Sequence, residues 1–385
     1  MEALELLDLI QLGESSITQF KERLPHQDSL AQEMVAFSNT EGGRIIIGVN
    51  DKTADLNGLS FQEIQATNLQ LVNVASQLVF PPIFIKTETV SVNGQQLIVV
   101  DVKEGVSKPY KDRNGSIFKK NGSDKRKVTS NDEIARLLQS GKLMYADETQ
   151  VHGTSLADID LDIFKTFILN KYGKPFEDLG IDLQKALENL NLMQGGILTL
   201  AGLLLFCGHR QQYRPQFTIQ CVAVNDNIIT GNSFEDSEAP IDGTISQIYE
   251  KAIGFIDRNM RKMQIGSSFN SPSKWEIPYE VFEEILVNAL IHRDYFIQST
   301  IKIFIYSDRI EIHSPGKLPN SLTLDNIRNG ISIARNPILL SVAQFILPYK
   351  GLGTGITRAI SLHPSIEFSN DVVGEQFRVI IKHIS

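Results

Sequence analysis

In the stretch YEVFEEILVNALIHRDY, Glu284, Asn288 and His292 recur four residues apart, which places them on one face of a helix. Val281, Ile285, Leu286 and Ala289 supply that helix with an apolar face. A carboxylate and an amide one turn apart have a definite chemistry. The amide oxygen of Asn288 can ligate a hard Mg²⁺ that bridges phosphates, and the Glu284 carboxylate can orient or deprotonate a water. The plain alternative is a solvated helix face, since short motifs of this kind recur by chance. Further on, GLGTGITRAI sets Gly351, Gly353, Thr354 and Gly355 before another helix. Glycines there let backbone N–H groups converge on a phosphate, and the helix dipole favours the anion. Between the two, STIKIFIYSDRIEIHSPGKLP reads as two alternating strands joined at Ser307-Asp308.

A second constellation lies nearer the start. From Lys103 to Lys127 there are nine Lys or Arg and three acids, so this stretch carries +6 while the whole chain carries −8. Screening cuts off distant charges beyond about 8–10 Å, so local charge decides phosphate contacts. Lys108, Tyr110, Lys111, Arg113, Phe118, Lys119, Lys120, Lys125 and Arg126 interleave cations with aromatics, the pattern of phosphate clamps and stacking platforms. A solvated loop face is the alternative.

The elements that must position these residues can be read in outline. SITQFK (16–21) alternates like a half-buried strand, and SLAQEMVAF has helical spacing. Gly42-Gly43 then opens an apolar strand at 44–49 that ends in Asn50-Asp51. Either this is a tight helix-to-strand turn, or the glycines admit a ligand that Asp51 faces. A helix fits 61–79, and residues 83–102 form a hairpin around Asn93-Gly94. SNDEIARLLQ opens with a Ser130-x-x-Glu133 capping box. The polar stretches 142–156 and 266–275 read as linkers. Between them, residues 157–265 mix helices with one strand, and two short helices flanking Gly195-Gly196 would suit a winged helix or a plain helical connector. The expected fold class is multidomain α/β (α+β), with domains at 10–140, 157–265 and 275–385.

The order of features over 275–385 resembles the GHKL ATPase fold. ILVNALIHRDY, DRIEIHSPGKLP, RNPIL and GLGTGI together look like the C-terminal domain of bacterial ATP-binding transcriptional regulators. The resemblance implies ATP and Mg²⁺ as cofactors, Glu284 as general base, Asn288 as the Mg²⁺ ligand, Gly351 to Thr354 as the phosphate loop, and His292 and Gly355 as further cofactor contacts. In SPGKLP, Ser314 stands where that fold carries an adenine-reading Asp, with Gly316 two residues on. A hydroxyl accepts a hydrogen bond about half as strongly as a charged group. Residues 10–140, above all AFSNTEGGRIIIGVND, resemble the Schlafen-type AlbA-like nucleic-acid-binding domain. Nuclease relatives place three carboxylates where this chain has Glu14, Gln19 and Asp51, so the resemblance implies a metal site here only in weakened form.

A chain of 385 residues with 42% hydrophobic and 21% charged content reads as an ordinary globular protein of two or three domains. Cys207 and Cys221 do not make a zinc site or a disulfide framework and fit a reducing compartment. ILTLAGLLLFC is too short to span a bilayer, and the acidic start lacks a signal peptide's positive region. The expected protein is cytoplasmic, binds DNA or RNA through residues 108–127, binds ATP·Mg²⁺ in its last domain, and is a possible homo-oligomer away from membranes. The alternatives are a Schlafen-type metal-dependent nuclease and a dimerisation scaffold that binds no nucleotide.

Overall fold

The computed structural model describes residues 2–141, 143–230, 233–264, 273–319, 322–349 and 354–383, which fall into two compact units, Met1–Met144 and Tyr145–Ser385. The expected phosphate-loop residues Gly351 and Gly353 lie outside the described residues.

In the first unit the elements run α1 (Ala3–Leu12), β1 (Thr18–Lys21), α2 (Gln27–Asn39), β2 (Gly43–Ile47), α3 (Phe61–Gln77), β3 (Val79–Phe80), β4 (Ile85–Val92), β5 (Gln95–Val102), β6 (Lys111–Asp112), β7 (Phe118–Asn121), β8 (Asp124–Lys127) and α4 (Asn131–Ser140). Four strands form a sheet in the order β1-β2-β5-β4, with β1 and β2 parallel and the rest antiparallel. The unbroken apolar run of β2 follows from burial on both faces. Ile45 and Ile47 pack with α2 and α3 on one side, and Ile46 packs with Leu6 and Ile10 of α1 on the other.

The Gly-Gly break is a packing requirement. Gly42 has φ +76° and a side-chain carbon there would meet Val102 O at 2.8 Å; at Gly43 it would meet the Phe37 ring at 2.3 Å. The exit is a turn as well, since the Asn50 side chain accepts from the N–H groups of Lys52 and Thr53. The expected capping box at α4 does not form: Ser130 makes no side-chain cap. Glu133 instead binds the Arg126 guanidinium through both oxygens, because a charged fork binds a carboxylate more strongly than one backbone N–H does.

The second unit runs α5 (Leu161–Tyr172), α6 (Leu183–Asn189), β9 (Met193–Gln194), β10 (Ile197–Leu198), α7 (Leu200–Phe206), β11 (Ile219–Val224), β12 (Phe234–Ile241), α8 (Ile245–Asn259), β13 (Lys262–Gln264), β14 (Ser273–Trp275), α9 (Tyr279–His292), β15 (Ile301–Ile305), β16 (Arg309–Pro315), α10 (Leu324–Arg328), α11 (Pro337–Ala343), α12 (Gly355–Leu362), β17 (Ile366–Asp371) and β18 (Gln376–Lys382). Short helices α6 and α7 do flank the Gly195-Gly196 hairpin. However, 157–265 and 275–385 do not form separate cores. Strand β11 pairs parallel with β15 inside one six-stranded sheet, β12-β11-β15-β16-β18-β17, over one continuous hydrophobic cluster. Most of the polar stretch expected as a linker, 266–275, lies outside the described residues.

Two buried polar groups fix the helices of this unit. Asn336 donates from its amide to the carbonyls of Ile291 and Arg293, closing the C-terminal end of α9. Asp147 accepts from the N–H groups of Ile338 and Leu339 at 2.7 and 3.0 Å, capping α11. Burial pushes the Asp147 carboxyl up to about 7, against the downward pull of those two N–H donors. Its folded value is raised, so the native chain holds a proton that the unfolded chain has lost between about pH 4 and pH 7. This group's contribution to stability therefore falls as pH rises through that window and is level above it. Denaturant unfolding at pH 5 and pH 8 checks this: relative to the wild type, Asp147→Asn should lose less stability, or gain more, between pH 5 and pH 8.

Candidate functional site

Helix α9 lies with Val281, Phe282, Ile285, Leu286 and Leu290 in the core, and this burial orients its polar face. Glu284, Asn288 and His292 then face one cavity together with Ser314, Gly316, Thr354 and Gly355. These residues come from α9, the end of β16 and the start of α12, so the fold joins the separate motifs of the last third of the chain. The cavity has a volume of about 140 Å³, and cavities of ~150 Å³ take a benzene-sized ring. Ile312, Leu318, Ile327, Phe377 and Val379 give it an apolar wall.

The polar groups have specific partners. The Asn288 amide nitrogen donates to the Glu284 carbonyl at 2.6 Å, which leaves its oxygen as the group able to meet a cation. The Ser314 hydroxyl donates to Ala289 O at 3.3 Å, so its lone pairs remain as acceptors. His292 is half-buried, and burial first and the Arg335 guanidinium second press its imidazole down to about 4. At neutral pH it is an uncharged hydrogen-bonding group and not a cationic phosphate ligand. Glu284 is buried and ion-paired to Arg358, the fourth residue of α12. A side-chain carbon on Gly355 would stand 1.9 Å from its second oxygen, Oε2, so a larger residue there would displace the carboxylate. The expected general base is therefore engaged by Arg358 on Oε1.

The sequence reading missed Lys317, Arg335, Tyr349 and Arg358 in this wall. Arg335 and Arg358 were present in the motifs RNPIL and GITRAI, but nothing in their spacing shows that they converge. Arg335 bridges the His292 and Lys317 carbonyls. Among the described lining residues, three cations, Lys317, Arg335 and Arg358, stand against one carboxylate, Glu284. An apolar wall with a cationic rim suits a ligand with a flat apolar part and an anionic part.

In the first unit much of the basic island is used internally. Lys108 is buried and its ammonium meets the Thr40 carbonyl and the Glu104 carboxylate. Tyr110 belongs to the core, where its backbone N–H and carbonyl bond the Asn39 amide. Lys120 is buried too: its Nζ bonds Gln19 Oε1 and Glu33 Oε1 at 2.8 Å each and lies over the Phe37 ring. These three expected nucleic-acid contacts are used inside the unit: the two buried lysines need paired charges, and the Tyr110 ring packs in the core. Lys125 is mostly covered and pairs with Glu33, Arg113 pairs with Asp28, and Arg126 pairs with Glu133. Lys119 is half-buried. Lys103, Lys111 and Lys127 are exposed, and Arg113 and Arg126 keep about half of their side-chain surface.

Glu14 precedes β1 and Asp51 follows β2. Glu14 accepts from the Gln19 side chain and the Phe20 N–H, while Asp51 is exposed in its turn. No group of three or more His, Cys, Asp or Glu suited to a metal occurs among the described residues. Nor, among those residues, is any helix long and apolar enough to cross a membrane.

Two segments match known families. Residues 14–129 match "Schlafen, AlbA_2", and residues 298–381 match "Putative ATP-dependent DNA helicase recG C-terminal". The chain thus carries a Schlafen AlbA_2 domain and a domain like the recG C-terminal one. The second match begins after α9, so it contains Ser314, Gly316, Arg335 and Arg358 but not Glu284 or Asn288. No curated protein matches the chain. The crystal structure of the DIP2311 protein from Corynebacterium diphtheriae is 17% identical, with a TM-score of 0.50, covering 99% of this chain and 80% of that one. That likeness is one of fold. The solution structure of the N-terminal domain of a "Putative ATP-dependent DNA Helicase RecG-related Protein" from Nitrosomonas europaea is 23% identical, with a TM-score of 0.25, and covers 34% of this chain and 96% of its own.

Substitutions separate architectural from accessible cations. Lys120→Met should cost on the order of 3 kcal/mol in urea unfolding, because it leaves Glu33 and Gln19 short of a buried partner. Lys111→Ala with Lys127→Ala should change stability by no more than about 0.5 kcal/mol per site.

Proposed function

We propose that this protein binds nucleic acid through its first unit and a nucleotide, as ATP with Mg²⁺, in the α9 cavity of its second. The observation that carries the reading is the convergence of Glu284, Asn288, Ser314, Thr354 and Gly355 on one cavity with Lys317, Arg335 and Arg358 at its rim. The donor set fits the ligand. The free Asn288 oxygen would hold Mg²⁺, the three cations would meet phosphates, and the Ser314 lone pairs would accept from a base amine. Bound Mg²⁺ would neutralise phosphate charge; the chain's own residues orient the ligand and exclude water around it. Binding is the proposed activity, and turnover would need Glu284 to be released from Arg358 first. The GHKL-type ancestry and a role in transcriptional regulation belong to the same proposal.

In the first unit the exposed cations Lys103, Lys111 and Lys127, with Arg113 and Arg126, form the proposed contact surface. A nuclease finds less support, since Gln19 Oε1 already accepts from the Lys120 ammonium.

Two measurements test the two halves. In thermal unfolding, ATP·Mg²⁺ at 100 times its Kd should add about 2.7 kcal/mol. Asn288→Ala should abolish the Mg²⁺-dependent part, and no shift at millimolar ATP·Mg²⁺ overturns nucleotide binding. In fluorescence anisotropy with labelled duplex DNA and single-stranded RNA, the Lys111→Ala/Lys127→Ala protein should lose about two counterions from its salt dependence. An unchanged salt slope removes the basic hairpin from the interface.

A further inference from the structure

The single carboxylate in the cavity already has an anion's place. Glu284 takes the Arg358 guanidinium on Oε1, and the first residue of α12, Gly355, packs against Oε2. The two partners are unequally placed. The Glu284 side chain is 7% exposed and fixed on a core helix, whereas the Arg358 side chain is 38% exposed. The guanidinium is also under-used: it bonds Glu284 through Nη2, while its buried Nε has no hydrogen-bond partner among the described residues. A planar guanidinium has five donors in a fork that matches phosphate oxygens in pairs.

We propose that Arg358 is a phosphate-responsive switch residue that exchanges Glu284 for a phosphate of the bound ligand. This rests on the nucleotide reading above and adds a mechanism that reading does not contain. In the empty cavity Glu284 is an internal stand-in for the ligand's anion, keeping Arg358 at the cavity and the buried carboxylate neutralised. A phosphate offers Arg358 two or more acceptor oxygens and a larger charge, so the guanidinium swings to it and its Nε gains a partner. Glu284 Oε1 then becomes a free acceptor only when a phosphate is seated. The carboxylate that could receive a proton from water is thereby exposed by the ligand itself. Lys317 and Arg335 line the same cavity and remain to offset the released carboxylate beside the phosphate.

Competition between Glu284 and phosphate for one guanidinium has a distinctive signature. Removing the competitor's charge should strengthen binding, which a purely structural ion pair would not do. The experiment is isothermal calorimetry of the full chain with the β,γ-imido analogue of ATP plus Mg²⁺, and with adenosine as the phosphate-free control. Glu284→Gln, which keeps shape, should tighten the analogue on the order of tenfold, as expected for one charge-assisted hydrogen bond set free. Adenosine should gain nothing. Arg358→Met should weaken the analogue, and adding Glu284→Gln to it should restore no affinity. Arg358→Lys, which keeps the charge but loses the fork, should fall between and guards against a folding defect in the Met variant. If Glu284→Gln gives no gain, or the gain persists without Arg358, the switch is overturned while nucleotide binding stands. If the wild-type chain and every variant bind neither probe, the nucleotide reading falls and the switch falls with it.

Discussion

A carboxylate held inside an apolar helix interface needs a cation, and Glu284 on α9 imposes that need on the second unit. Seven residues around it, from Val281 to Leu290, are committed to the core, so the helix cannot rotate to give Glu284 to solvent. Arg358 must therefore come to it, and α12 comes with Arg358. A side chain at position 355 would press on the Glu284 carboxylate. The far end of α9 is closed by Asn336, which brings its neighbour Arg335 beside His292 and lowers that imidazole's pKa further than burial does alone. The cavity is thus a consequence of satisfying one buried charge and one helix end.

The first unit follows the same logic with opposite sign. Its buried side chains include two lysines, Lys108 and Lys120, each of which draws an acid or carbonyl from elsewhere in the unit. Asn39 uses its single amide three times, accepting from Tyr110 N–H and donating to the carbonyls of Tyr110 and Phe118. These bonds tie the end of α2 to the basic segment. The charge that looks like a binding surface is in part the means by which the β7–β8 hairpin is attached. What remains accessible is a smaller set of cations, two of them, Arg113 and Arg126, shared with Asp28 and Glu133. Exposed ion pairs of this kind are worth about 0–1 kcal/mol, so a phosphate can compete for them cheaply.

Much of this was legible in the sequence, for reasons of periodicity. The 3.6-residue and two-residue repeats revealed α2, α9, the Asn93-Gly94 hairpin and the strand pair at Ser307-Asp308, because each reports which side of one element faces an apolar partner. The four-residue spacing of Glu284, Asn288 and His292 placed them on one face without reference to any other segment. The resemblance of the two ends of the chain to known domains was legible for the same reason, in contiguous motifs. The Gly42-Gly43 question, by contrast, was answered by the Phe37 ring and the Val102 backbone, neither of which adjoins the glycines in sequence.

Tertiary structure alone decided which charges were spent inside. Lys108 and Lys111 look alike in sequence, yet one is buried against Glu104 and the other is exposed. Composition sums charges along the chain, whereas ionic pairing depends on distances of a few ångströms across it. The same limit hid the Glu284–Arg358 pair, whose members are separated by 74 residues, and the sharing of one sheet by β11 and β15 across an apparent linker. The sequence determined the faces of the helices and strands, because a side chain's direction is set by local backbone geometry. Which faces meet, and so which charges are left to bind anything else, was fixed only when the cores closed.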